Sequence, residues 1–126
     1  MRRRTDRGSA VVAAVLTLPI VTAIFLVVVQ LAVTAYLRSN VVHAASEAAR
    51  AASVSSNPVA VADQRARAVL RATSGVAHLL SVRTQQQFAG GVAVVNVVVT
   101  VAIPGMWLSG SQQISGSALA VQEPAP

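Results

Sequence analysis

The sequence predicts an α+β chain: a long N-terminal helix that spans a membrane and continues outside it, a second helix, and a small three-stranded antiparallel sheet. Three observations predict this. Residues 9–37 form a run of 29 without a charge, which as a helix is about 44 Å long and exceeds the ~30 Å hydrocarbon core of a bilayer. The apolar spacing then stays helical through a second, charged stretch. Beyond residue 78 the period changes to two, as strands require.

Taken in order, residues 1–8 are a basic leader, with Arg2, Arg3, Arg4 and Arg7 set against a single acid, Asp6. Arginines before the span and few after it place the N-terminus on the cytoplasmic side and Arg38 onward outside. Inside the 9–37 span, Pro19 removes a backbone donor and is expected to kink the helix. Gln30, the only amide in the span, either lies near the outer headgroups or meets a neighbouring helix.

The helix has no stop signal at Leu37, and residues 38–56 form its exterior extension. Leu37, Val41, Ala45, Ala48 and Ala52 share one side, and Arg38, His43, Glu47 and Arg50 fall largely on the other. His43, Glu47 and Arg50 are read as a solvated stripe of pairs along the helix. "SSNP" ends it, because Pro58 forces Asn57 out of helical geometry. A small α+β exterior domain, residues 58–122, follows. Its helix "VAVADQRARAVLRAT" offers Ala62, Ala66, Val69 and Leu70 for packing and Asp63, Arg67 and Arg71 to water, and Gly75 ends it.

Alternation in "HLLSVRTQQQF" groups Leu80, Val82, Thr84, Gln86 and Phe88 on one face. "AGG" supplies the turn. "VAVVNVVVTVAI" reads as the central strand, with Val95, Val97, Val99, Val101 and Ile103 on its apolar face. "PGMWLSG" is a loop in which Trp107 is expected to cap the core, "SQQISGSALAVQ" is a weaker strand interrupted by Gly116, and residues 123–126 are a flexible tail. The exterior half of the first helix is the nearest cover for the sheet.

Composition excludes most chemistry. All ten basic residues are arginine, and the net charge is +6. Half of that excess sits in the leader, and the rest is scattered without aromatic platforms, which argues against a nucleic-acid partner. The chain has no cysteine, so disulfides and thiolate chemistry are excluded. His43 and His78 lie on different elements with no acidic cluster, so no metal site is expected. No nucleophile with a base, acid pair or phosphate loop is present. The expected reading is a non-enzyme without cofactors, acting by packing and embedded in a lipid bilayer.

At the seam, "RGSAVVAAVLTLP" resembles the "RGSAxVEFALxLP" pattern of the TadE-like pseudopilins of tight-adherence pili, within the type IV pilin class. Arg7, Gly8, Ser9, Ala10, Val12, Leu16, Leu18 and Pro19 fall in register with it. The resemblance is specific over residues 7–52 and architectural from 58 to 126. It implies a pilin-like fold and a prepilin-type leader cut by a prepilin peptidase between Gly8 and Ser9, with the apolar helix kept. It also implies partners among other pilins or pseudopilins and the membrane assembly proteins of the pilus, at a bacterial cytoplasmic membrane or in a surface pilus. Where the family commonly has glutamate, this chain has Ala13, and Ala14 stands where an aromatic is usual. Without that acid a minor, initiating or accessory role is expected in place of a shaft subunit. Two other readings compete: an uncleaved single-pass anchor whose exterior domain binds another envelope component, and a secretory signal lost through about Tyr36.

Overall fold

The computed structural model describes residues 5–73, 78–103 and 112–122. It has helices α1 (Thr5–Ser53) and α2 (Pro58–Thr73) and strands β1 (His78–Ala89), β2 (Val92–Ile103) and β3 (Gln112–Val121). The expected α+β class and element order are found. The leader arginines Arg2, Arg3 and Arg4, the Gly75 helix stop, the Trp107 loop and the 123–126 tail lie outside the described residues.

The chain divides into two units, Met1–Ala35 and Tyr36–Pro126. In the first, α1 is exposed at every position from 7 to 33. Its apolar side chains, among them Leu18, Phe25 and Leu31, touch no core. A helix with that surface belongs in an apolar solvent, and its mean hydropathy of 2.8 over the best window makes it long and apolar enough to cross a membrane. The helix runs unbroken through Pro19.

In the second unit β1, β2 and β3 form a meander in that spatial order. Both pairings are antiparallel. The β1–β2 turn is Gly90 (φ 62°) and Gly91 (φ 82°). Two successive positive φ values make the type I′ turn whose twist suits a two-residue hairpin, and glycine adopts both without a Cβ penalty.

Val95, Val97, Val99 and Val101 of β2 are all buried, as the alternation predicts, and Ile103 is half-buried. They share one core with Val41, Ala44, Ala45, Ala48, Ala49 and Ala52 of α1 and Ala62, Ala66 and Leu70 of α2. Among the described residues the largest fully buried side chains are valines. Alanines on the helices let their backbones approach the sheet closely, so valine fills the remaining depth. Each buried valine contributes on the order of 1.5–3 kcal/mol of transfer free energy.

Asn57 caps α2. Its Oδ1 accepts from the N–H of Ala60 (3.5 Å) and its carbonyl from the N–H of Val61 (3.2 Å). Pro58 then occupies the first helical position, where a missing donor costs nothing.

Two strand expectations change. The pairing of β1 shifts between Leu79 and Ser81, with Leu79 opposite Val101 and Ser81 opposite Thr100. Simple alternation grouped Leu80 with Val82. The extra residue of this bulge breaks that phase, so the backbone at Leu79 holds the register position across from Val101. Nor does Gly116 interrupt β3. It is a buried member of the strand, opposite Val99. A Cβ there would lie 3.0 Å from the backbone nitrogen of Val42 and 3.1 Å from the carbonyl carbon of Val41. Glycine is needed because the α1 backbone occupies the space of a side chain.

Candidate functional site: the N-terminal seam and the apolar helix

Arg7, Gly8 and Ser9 all lie inside α1, which begins at Thr5. The seam is therefore helical on both sides of the Gly8–Ser9 bond. All three residues are exposed, and a Cβ built on Gly8 meets nothing within 4 Å. Gly8 is thus open to any approaching surface, and it lowers the local cost of leaving the helix by about 0.5–1 kcal/mol relative to alanine.

Further along, Ala13 is exposed and its carbonyl accepts the Thr17 hydroxyl at 2.6 Å. Thr22 donates to the carbonyl of Leu18 (2.8 Å) and Thr34 to that of Gln30 (2.9 Å). These three threonine hydroxyls are therefore satisfied within their own helix. The exposed side-chain amide of Gln30 differs. It has no hydrogen-bond partner among the described residues.

The structure does not gather a reactive constellation around these positions. Among the described residues no three His, Asp or Glu side chains come together. Glu47 does not pair along its own helix as the stripe reading expected. Its Oε2 accepts from Nη2 of Arg65 on α2 at 3.4 Å. Sequence spacing carries no signal for this contact, since the partners are 18 residues apart. His43 and Arg65 border an open groove with Ala68, Val69, Ala72 and Thr73. It has no acid in its lining. On α2, Nε of Arg67 donates to Oδ2 of Asp63 at 2.8 Å, the expected i,i+4 pair. That hydrogen bond holds the Asp63 carboxyl below its ordinary range.

Residues 8–50 match the family described as TadE-like protein. Over those residues, about a third of its length, the chain is similar to TadE-like proteins. The match opens on Gly8 and closes three residues before the end of α1, so the TadE-like region is this one helix. The resemblance read from Arg7 to Pro19 is thereby borne out. The sheet and α2 lie outside the matched residues. No curated protein and no solved structure matches the chain.

Proposed function

We propose that this chain is a membrane-anchored, non-catalytic TadE-like minor pilin or pseudopilin that takes part in assembling a tight-adherence-type pilus or a related secretion apparatus. The observation that carries the reading is the TadE-like match beginning at Gly8 on a helix with no buried face in its apolar half. A leader of residues 1–8 is removed by a prepilin peptidase at the Gly8–Ser9 bond, and the helix from Ser9 remains. Because that bond sits in a helix, the peptidase has to unwind it. Gly8 makes this cheap and leaves the peptide unshielded.

The charges fit a bilayer of ordinary thickness. Arg7 and Arg38 are 31 residues apart, a rise of about 46 Å, close to the ~40–45 Å between the outer limits of the two headgroup layers. Arg7 then meets one headgroup layer, and Arg38, beside the exposed Tyr36, meets the other. The arginine-rich end faces the cytoplasm and residues 38–126 face outward. Ala13 spares the span a buried carboxylate, which supports an accessory place beside a shaft.

One observation favours a second reading, an uncleaved anchor whose exterior domain binds another envelope component: α1 is helical straight across the junction. Intact-mass measurement of membrane-extracted protein separates the two. The first reading expects a chain starting at Ser9 in cells with an active prepilin peptidase, and the full-length chain when Gly8→Leu blocks the site. A chain that starts at Met1 in both strains rejects the processing claim.

A further inference from the structure

We propose that the end of the exterior unit built by the β1–β2 hairpin and the α1–α2 turn docks a different protein through an apolar, uncharged surface anchored by Phe88, an inference that rests on the membrane placement above and not on leader processing. Both features lie at one end of the unit. Gly116, which pairs with Val99, rests against the α1 backbone at Val41 and Val42. From Val41 to Ala52 the helix rises about 16 Å, the length of about five strand residues. A course away from the hairpin would carry Ala52 past Ile103, where β2 ends, and leave Val95 and Val97 without the α1 alanines. Ala52, Val95 and Val97 are all fully buried. α1 therefore runs toward the hairpin, and its end, the turn after it and the start of α2 come level with residues 88–93.

Four large apolar side chains stand in the open at this end: Phe88 is 83% exposed, Val54 72%, Val59 60% and Val92 46%. The segments that build it, residues 51–62 and 84–103, contain no charged residue. Phe88 sits on a paired strand opposite Ala93, one residue before the Ala89–Val92 pair that closes the Gly90–Gly91 turn. A ring held on so short a hairpin has little freedom left to lose on binding. The exposed amides of Gln85, Gln86 and Gln87 lie beside it. An aromatic side chain edged by uncharged polar groups has the composition of an interface anchor and its rim.

The occupant follows from charge and topology. In the placement above Arg38 meets the outer headgroups, and Ser53 lies 15 residues farther along the same helix, a rise of about 22 Å. Copies inserted in one bilayer with one topology all present this end away from the membrane, so two of them cannot meet end to end. A second lipid surface is a poor match, because a bilayer-docking end carries basic, Trp or Tyr side chains for the headgroup layer, and none occurs in residues 51–62 or 84–103. A charged protein surface would give up its hydration here without a counter-charge. An apolar, uncharged protein surface with a pocket for a phenyl ring meets neither penalty.

Photo-cross-linking in native membranes tests this on the full-length chain. The photoreactive residue p-benzoylphenylalanine replaces Val54 or Val59, or as controls the exposed Arg71 or Arg83, and adducts are read by intact mass and by sequencing the cross-linked peptide. The expected result is one adduct to a different protein from Val54 and Val59, about tenfold above both controls, with a cross-linked peptide that is apolar and uncharged. Adding Phe88→Asp should lower that yield about tenfold and Phe88→Leu should keep most of it, as loss and retention of an anchor require. Phe88 touches so little of its own chain that both variants should keep the parent's thermal midpoint. An adduct of twice the chain's mass, adducts to lipid alone, a charged cross-linked peptide, equal yields at the controls, no adduct, or an undiminished yield with Phe88→Asp each overturn the proposal. Carbonate washing of the unsubstituted membranes reads the placement separately. A chain released to the supernatant overturns the placement and the proposal with it, whereas failed cross-linking of a chain retained in the pellet overturns the proposal alone.

Discussion

Gly116 shows how one residue sets the thickness of the exterior unit. Its missing side chain lets the α1 backbone at Val41 and Val42 rest against β3. In Gly116→Ala the new methyl meets a backbone nitrogen and a carbonyl carbon at 3.0 and 3.1 Å, neither of which has a rotamer to change. Helix and strand must separate, at a cost of about 1–3 kcal/mol. Urea denaturation of the full chain in detergent, followed by far-UV circular dichroism, should show that loss. Adding Val41→Ala relieves only the 3.1 Å contact with Cγ1, so the double variant should be no more stable than the sum of its parts. A recovery to wild-type stability would place the clash in the side chain instead of the backbone.

The elements differ in how far the sequence reveals them. β2 was legible because its period-two valines coincide with burial on one face, and α1 because its apolar stripe continues at helical spacing past Leu37. The seam from Arg7 to Pro19 was legible as a motif, which depends on order along the chain. Contacts between elements were not. The bulge at Leu79/Ser81 adds one residue without altering composition, and Glu47–Arg65 joins helices through a fold that spacing does not encode. Gly116 gave a real but ambiguous signal, since a mid-strand glycine marks either a break or a close approach.

The pairing of Asp63 with Arg67 makes a separate prediction on α2. The folded-state pKa of Asp63 lies below its unfolded value. Its stabilisation is therefore complete above the ordinary carboxylate value of about 4 and is lost as pH falls through the folded value. Asp63→Asn should flatten the acid limb of the thermal stability profile at low salt. Both partners are largely solvated, so the difference should be a shift of about 2 °C and should vanish at high salt.

At the scale of the whole molecule, the unit boundary falls within α1, between Ala35 and Tyr36, and every member of the buried cluster belongs to the second unit. The first unit contributes apolar surface and no core. The second spends the last turns of α1 on the face that covers β2. Two truncations test that division. A chain starting at residue 36 keeps Val41 and the five alanines of α1 that line the core, so it should be soluble without detergent and melt cooperatively with mixed helix and strand signal. A chain starting at residue 54 lacks them. Four β2 valines then lose the α1 part of their cover, and only Ala62, Ala66 and Leu70 of α2 remain against the three-stranded sheet, too little to pack its apolar face. That chain should show no cooperative transition and should bind a hydrophobic dye. If the shorter chain melts cooperatively, the exterior half of α1 is dispensable to the core. If the longer chain fails to fold, residues before Tyr36 contribute to stability, and the apolar helix is more than an anchor.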